Sequence, residues 1–172
     1  WELIDLHGNL MGTGSAKVKT SANTHTIAGK LFEDEKPGGF YFARLRLKNS
    51  KGELLDENLY WLTAEDSDWL ALDELHAADV QVSVSEQADG SLQATLENKD
   101  QETAFFMRLK ISDRKKRELL LPVFMEDNYI TLFPGESRQI EIDLSHLDEK
   151  AAESEMDLVV APWNGEAVTV EL

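Results

Sequence analysis

The fold is decided by residues 80–96, which read VQVSVSEQADGSLQATL. Apolar and polar side chains alternate in steps of two on both sides of the pair Asp89-Gly90. This period is typical of half-buried antiparallel strands, because successive side chains of a strand point to opposite faces. Asp-Gly favours a tight turn, since glycine readily adopts the positive φ angles that such a turn needs. The stretch therefore predicts a β-hairpin.

The same alternation continues towards the end of the chain. Phe105, Met107, Leu109 and Ile111 are predicted to share one face of the next strand. Further strands are predicted at residues 119–123, 129–133, 138–144, 157–161 and 167–172, with short helical segments at 68–75 and 147–155. About seven strands in roughly 95 residues, with turn signals every 8 to 12 residues, are typical of an immunoglobulin-like β-sandwich.

Residues 1–63 also have strand patterns, but they are too short for an independent sandwich. Candidate strands lie at residues 2–6, 16–20, 24–31, 40–48 and 54–62. The sequence thus predicts an all-β, antiparallel chain in three parts. Residues 1–63 are the latter part of a truncated β-sandwich module, residues 64–75 are a linker with a short helical turn, and residues 76–172 are a complete immunoglobulin-like β-sandwich.

Composition excludes several classes of function. The 172-residue chain has a formal net charge of −16, which opposes binding to nucleic acid. Residues 1–63 hold 8 basic and 8 acidic side chains, so the 9 basic and 25 acidic side chains that remain place the whole excess after residue 63. No apolar run approaches the ~20 residues of a membrane-spanning helix, and no signal peptide is visible at Trp1.

No pattern of catalytic or cofactor-binding residues emerges. The chain has no cysteine, and its 4 histidines are scattered without metal-ligand spacing. No serine-nucleophile elbow of the form Gly-x-Ser-x-Gly and no phosphate-binding loop occurs either. We therefore expect no catalytic residue, no metal site and no cofactor. Because sugars stack on aromatic rings, Trp61 and Trp163 are candidate ligand-binding residues, although core or interface packing is the commoner use of tryptophan in a sandwich.

A family resemblance rests on several strings of sequence. The longest is DNYITLFPGES at residues 127–137, and shorter ones are NLYWL at 58–62, AFFMR at 104–108, LPV at 121–123 and the pair Trp163-Asn164. Together they resemble the C-terminal region of glycoside hydrolase family 2 enzymes of the exo-β-glucosaminidase and β-mannosidase type. Within the longest string, Tyr129 is interpreted as a tyrosine corner whose hydroxyl ties down a loop.

The resemblance implies a domain organisation, a function and a set of partners. In that family a catalytic (β/α)8 barrel is followed by two β-sandwich modules, so residues 1–63 correspond to the end of the fourth module and the rest to the fifth. The implied function is that of a non-catalytic accessory region of a secreted or periplasmic enzyme that hydrolyses β-glycosidic bonds. The implied partners are the other domains of the parent glycosidase, with no nucleic acid and no membrane.

Two alternatives stay open at this point. One is a carbohydrate-binding module that uses Trp61 and Trp163, and the other is an adhesion-type sandwich unrelated to catalysis. Because a missing strand exposes unpaired backbone groups and an apolar face, self-association through residues 1–63 is also predicted. Tyr41, Ala43, Leu45 and Leu47, with Leu59 and Trp61 on the opposite strand, are expected to form that face.

Overall fold

The computed structural model describes residues 1–32 and 37–172. Strands dominate these residues, and each strand pair they form is antiparallel. The predicted all-β, antiparallel fold class is therefore confirmed. The chain divides into two compact units, Trp1–Glu74 and Leu75–Leu172.

The first unit is a four-stranded sheet. Its strands are β1 (Glu2–Asp5), β2 (Leu10–Thr13), β3 (Phe40–Lys48) and β4 (Leu54–Thr63), in the order β2-β1-β3-β4. A 3-10 helix follows at Asp66–Glu74. The Asp68 carboxylate accepts hydrogen bonds from the backbone N–H groups of Ala64 and Glu65, at 3.1 and 2.9 Å, which holds the start of this helix.

The sheet of the first unit has buried apolar side chains on both faces, with Ile4 and Phe42 on the side opposite Leu3 and Tyr41. Leu3, Tyr41 and Ala43 are buried, and partly buried apolar side chains pack around them. Ala43 lies opposite Tyr60, and Tyr41 lies opposite Leu62, so one face of the β3–β4 hairpin covers this core. Beyond Ala43 the same face continues with exposed Leu45 and Leu47.

Two expectations for the first unit are wrong. Residues 16–20 and 24–31 are not strands, and apart from Leu31, which packs partly buried against the core, their side chains are exposed. The exposed apolar residues there cover no surface, so the pattern does not produce a strand. Leu59 and Trp61 do not share a face with Tyr41, because they pair with Arg44 and Phe42, whose side chains point to the other side of β3.

The second unit is a sandwich of two four-stranded sheets. One sheet has the order β5 (Val80–Glu86), β6 (Leu92–Asn98), β10 (Ser137–Asp143) and β8 (Phe124–Met125). The other has the order β12 (Val168–Glu171), β11 (Met156–Ala161), β7 (Ala104–Asp113) and β9 (Ile130–Leu132). The predicted hairpin at residues 80–96 is confirmed, since Val84 pairs with Ala94 and Gly90 has a φ of 85°.

The core of the second unit lies between these sheets. Ala94, Leu96, Ile140 and Ile142 face it from one sheet. From the other sheet it receives Ala104, Met107, Leu109, Ile111, Leu158 and Val160. Each fully buried aliphatic side chain contributes about 1.5–3 kcal/mol relative to exposure. A short helix, α1 (Glu149–Ala152), begins at Asp148, whose side chain accepts a hydrogen bond of 2.7 Å from the Ala151 N–H.

The predicted strand at residues 119–123 is wrong. Only Leu119 makes a strand-like bridge, to Ser112, and regular pairing starts at Phe124, which lies opposite Asp143. Pro122 has no backbone N–H and therefore interrupts a ladder of strand hydrogen bonds. Residues 118–120 instead run beside the end of β7, with the Leu120 N–H donating to the Ile111 carbonyl at 3.0 Å.

Candidate interaction surface

A β-bulge in β7 redirects two phenylalanines. The pairing of β7 with β9 shifts register between Ala104 and Met107, and both of these residues face the core. Phe105 is buried outside that core cluster, so the expectation that it shares a face with Met107 is wrong. Phe106 has a φ of 48°, a region that bulky residues rarely adopt. Bulges commonly redirect a side chain in this way.

Tyr129 lies against the redirected ring. Its ring centroid is 4.8 Å from that of Phe106 at an interplanar angle of 30°, which is a stacked arrangement. Tyr129 itself has a φ of 57° and is 52% exposed. Within the described residues its hydroxyl makes no hydrogen bond, so the predicted tyrosine corner is wrong. The ring, not the hydroxyl, is the part of Tyr129 that contacts the sandwich.

The neighbouring Asn128 takes the place of a strand partner for β7. Its side-chain oxygen accepts a hydrogen bond of 2.8 Å from the Leu109 N–H, and its side-chain nitrogen donates one of 2.9 Å to the Leu109 carbonyl. The N–H and the carbonyl of Leu109 are thereby paired, although β9 starts only at Ile130 and does not reach them. The amide of Asn128 thus compensates for the interrupted ladder, because buried backbone groups require partners.

Asn164 has a similar role at the other end of the sandwich. Its side-chain nitrogen donates to the carbonyls of His76 and Thr103, at 2.7 and 2.8 Å, and its side-chain oxygen accepts from the Phe105 N–H at 2.9 Å. The side chain thus joins the segments before β5 and at the start of β7 to the turn between β11 and β12. This turn holds Trp163 in place.

The two candidate ligand-binding tryptophans lie in different units and in different surroundings. Trp163 is 52% exposed, and its ring meets the ring of Phe105 edge-on at 6.0 Å. Trp61 lies on β4 opposite Phe42 and is partly buried. A third tryptophan, Trp69 in the 3-10 helix, meets the Phe40 ring edge-on at 5.4 Å. Ligand binding by Trp61 and Trp163 stays a prediction.

An open groove of about 670 Å³, which we call the basic groove, lies between residues 108–111 of β7 and the segment 117–129. Its polar lining includes Arg108, Lys110 and Arg117. Its apolar lining includes Leu119, Leu121, Phe124 and Tyr129. The strand pattern of the sequence does not indicate this groove. The available signal was charge density, since 6 of the chain's 17 basic residues fall within residues 108–117.

Ion pairs hold the turn beside this groove. Arg114 pairs with Asp157 at 2.7 Å, and Lys115 pairs with Glu155 at 2.8 Å. The backbone N–H and the ammonium of Lys116 both donate to Asp113, and they hold the pKa of that carboxyl well below its usual range. In the part of the chain that the structure describes, Arg108, Lys110 and Arg117 form no ion pair.

Clusters of metal ligands and membrane-spanning helices are two further features that the described residues lack. Within residues 1–32 and 37–172, no group of three or more His, Cys, Asp or Glu side chains is placed to hold a metal ion. Over the same ranges, no helix has the length and apolar character needed to span a membrane.

Comparison with known proteins identifies relatives of the chain. Residues 58–165 match the family described as Exo-beta-D-glucosaminidase Ig-fold domain. An exo-β-D-glucosaminidase of Arthroderma benhamiae is 30% identical over 173 residues, which cover 90% of this chain and 19% of that protein. One from Hypocrea jecorina is 32% identical over 167 residues, covering 82% of this chain and 19% of its own length.

Solved structures agree on the fold. The crystal structure of Amycolatopsis orientalis exo-chitosanase CsxA matches 99% of this chain and 23% of its own, with a TM-score of 0.71 and 20% sequence identity. This likeness confirms the predicted immunoglobulin-like β-sandwich. The chain spans about a fifth of the length of the relatives it matches.

Proposed function

The chain belongs to the exo-β-D-glucosaminidase Ig-fold domain family, and we propose that it serves as a structural, non-catalytic region of an exo-β-D-glucosaminidase. The resemblance to glycoside hydrolase family 2 enzymes is confirmed by this match and by the relatives at 30% and 32% identity. The proposed activity of the whole enzyme is hydrolysis of terminal β-D-glucosaminide bonds, since both relatives are named for it. Mannosides and galactosides are the less favoured substrates.

The main support for a structural role is the hydrogen bonding of two asparagine side chains to the backbone. Asn128 and Asn164 lie in the strings that indicated the family, and both direct their side-chain amides at backbone groups of β7. A side chain that pairs buried backbone groups is not available to bind a sugar. The resemblance therefore rests in part on residues whose work is to hold the sandwich together.

The domain boundaries form part of this proposal. The antiparallel sheet of the first unit supports the assignment of residues 1–63 to a β-sandwich module. Residues 64–75 then connect it to the complete sandwich at 76–172. In the whole enzyme, both modules pack against other domains of the same polypeptide. We also propose a secreted or periplasmic location, because an enzyme that trims a polymeric glucosaminide must meet its substrate outside the cytoplasm.

Hydrolysis assays test the proposal directly. The purified chain is incubated with aryl β-D-glucosaminide, β-D-mannoside and β-D-galactoside, beside the complete glycosidase that carries these residues. We expect the complete enzyme to cleave the glucosaminide fastest and the chain alone to cleave none of the three. Turnover by the chain that survives repurification and disappears in a carboxylate variant such as Glu166→Gln would contradict the non-catalytic role.

The carbohydrate-binding alternative is not favoured. The matched family and the relatives are described as parts of exo-β-D-glucosaminidases, and none of these descriptions names a binding module. Trp163 is exposed enough to contact a sugar, yet isolated apolar side chains are common on domain surfaces.

A further inference from the structure

The basic groove differs in charge from the unit that contains it. Residues 75–172 carry 20 acidic and 9 basic side chains. The groove nevertheless presents Arg108, Lys110 and Arg117, which form no ion pair among the described residues. A cluster of unpaired cations on an acidic unit creates a local positive potential, and such a potential favours an acidic partner.

The groove is also unusually apolar for a free surface. Leu119, Leu121 and Phe124 are 54%, 63% and 58% exposed, and Tyr129 is 52% exposed. Contiguous exposed apolar groups bordered by polar ones mark interaction sites. The combination of four large apolar side chains with three cations matches the mixed character of interfaces between domains of one chain, which are more polar than obligate interfaces.

The groove is held in shape before any partner arrives. Asp113 accepts hydrogen bonds from the N–H groups of Lys115 and Lys116, at 2.9 and 2.8 Å. This closes the turn and places Arg117 at a φ of 59°. On the other side, Asn128 fixes Leu109 beneath the groove. A preorganised site loses little conformational entropy when it binds.

We propose that the basic groove docks an acidic surface segment of another domain of the same glycosidase, whose apolar side chains insert between Leu119, Leu121 and Phe124. This inference rests on the proposed function. The chain covers only 19% of its relatives, so most of the polypeptide available to fill the groove lies outside it. Carboxylates of that segment pair with Lys110 and Arg117. A glucosaminide polymer is a poor occupant, because its ammonium groups are repelled by the same cations.

Hydrogen exchange on the complete glycosidase tests the docking. Backbone exchange of residues 117–125 is measured in the complete enzyme and in the chain alone. We expect these amides to exchange at least about tenfold more slowly in the complete enzyme, because docking excludes water and local opening there. The double variant Lys110→Glu/Arg117→Glu is expected to lose this protection, and amides of β5 and β6 report whether its sandwich stays folded.

The matched control reverses two cations away from the groove. Lys99→Glu/Lys150→Glu makes the same change in net charge at exposed positions, and it should leave the protection intact. Equal exchange of residues 117–125 in the enzyme and in the chain overturns the proposal, and so does an equal loss of protection in the control.

Other occupants of the basic groove would give different hydrogen-exchange results. Protection in the chain alone that rises with its concentration identifies a second copy as the occupant and overturns the proposal. Protection of the chain alone by polygalacturonate identifies an anionic polysaccharide and overturns it as well. Failure of the enzyme to cleave β-D-glucosaminides contradicts the proposed activity, but leaves the exchange result as an independent measure of docking.

Discussion

The side-chain oxygen of Asn164, in the turn between β11 and β12, accepts a hydrogen bond of 2.9 Å from the backbone N–H of Phe105 on β7. The regular pairing of β7 with β11 ends at Arg108 and Ala161, and beyond it the Phe105 carbonyl accepts a hydrogen bond of 2.8 Å from the Trp163 N–H, so the turn after β11 pairs both backbone groups of Phe105. One side chain from a hairpin turn thus completes the hydrogen bonding of a distant strand. The same side chain also donates to two carbonyls, so its removal would leave three backbone groups without their partners.

We expect Asn164→Ala to destabilise the second unit by about 2–4 kcal/mol, because it leaves three backbone groups without their partners. The measurement is urea unfolding, followed by exchange of amides in β7 and β11. Asn58→Ala, at an exposed asparagine of the first unit, is the control and should change stability by less than about 0.5 kcal/mol. Equal effects of the two substitutions would show that the Asn164 hydrogen bonds contribute little.

Asp113→Asn should weaken the turn beside the basic groove in a pH-dependent manner. The pKa of Asp113 is lowered in the folded protein, first by the Lys116 N–H and then by the Lys116 ammonium. Its contribution to stability is therefore present above the unfolded pKa of about 3.9 and is lost as pH falls through the lower folded pKa.

The difference in unfolding free energy between wild type and Asp113→Asn should consequently be constant above about pH 5 and shrink below about pH 4. Urea midpoints at several pH values measure it. Glu166→Gln, at an exposed carboxylate, controls for loss of one negative charge. A difference that stays constant down to pH 2 would refute the assigned role of the Lys116 hydrogen bonds.

Titration with chitosan oligomers or manno-oligosaccharides should leave the tryptophan fluorescence of the chain unchanged. Trp61 is partly buried in the sheet, and the Trp163 ring, although 52% exposed, is already held edge-on against Phe105, so we expect neither ring to bind a sugar. Saturable quenching at millimolar sugar that disappears in Trp163→Ala and persists in Trp69→Ala would support the carbohydrate-binding alternative instead.

The chain should self-associate weakly through the far half of the β3–β4 hairpin. Leu45, Leu47 and Leu55 are 38%, 52% and 60% exposed there, and β4 is an edge strand of its sheet. Exposed apolar edge strands readily pair with another chain. Sedimentation velocity over a wide concentration range should detect dimers that Leu47→Lys abolishes and Leu119→Lys, in the basic groove, retains. A monomer at all concentrations would contradict this prediction.

The sequence alone was sufficient for the class of fold and for the family. The two-residue period of residues 80–96 is a local pattern. An antiparallel strand that buries one face against a core requires this alternation of apolar and polar side chains. The string at residues 127–137 was likewise enough to indicate the family. Its turn at Pro134-Gly135 appears as expected, with Gly135 at a φ of 78°.

Alternation failed where no partner surface existed or where a bulge interrupted it. Residues 16–20 and 24–31 were predicted as strands, but all of their side chains except Leu31 are exposed and cover no surface, so no strand forms. In β7 the bulge places Ala104 in the core where the strict period expected Phe105. A bulge adds one residue to one strand only, and its position depends on the neighbouring strand, which the local pattern does not contain.

What the sequence by itself determined is therefore the all-β class, the hairpins and the family, because these follow from short-range period and turn chemistry. Only the tertiary structure decided the face that Trp61 occupies, the partners of Asn128 and Asn164, and the gathering of Arg108, Lys110 and Arg117 into one groove. The partners of Asn164 lie 59, 61 and 88 residues away along the chain. Strand register and sheet order bring such residues together, and both are set by burial of the whole core and not by any local stretch.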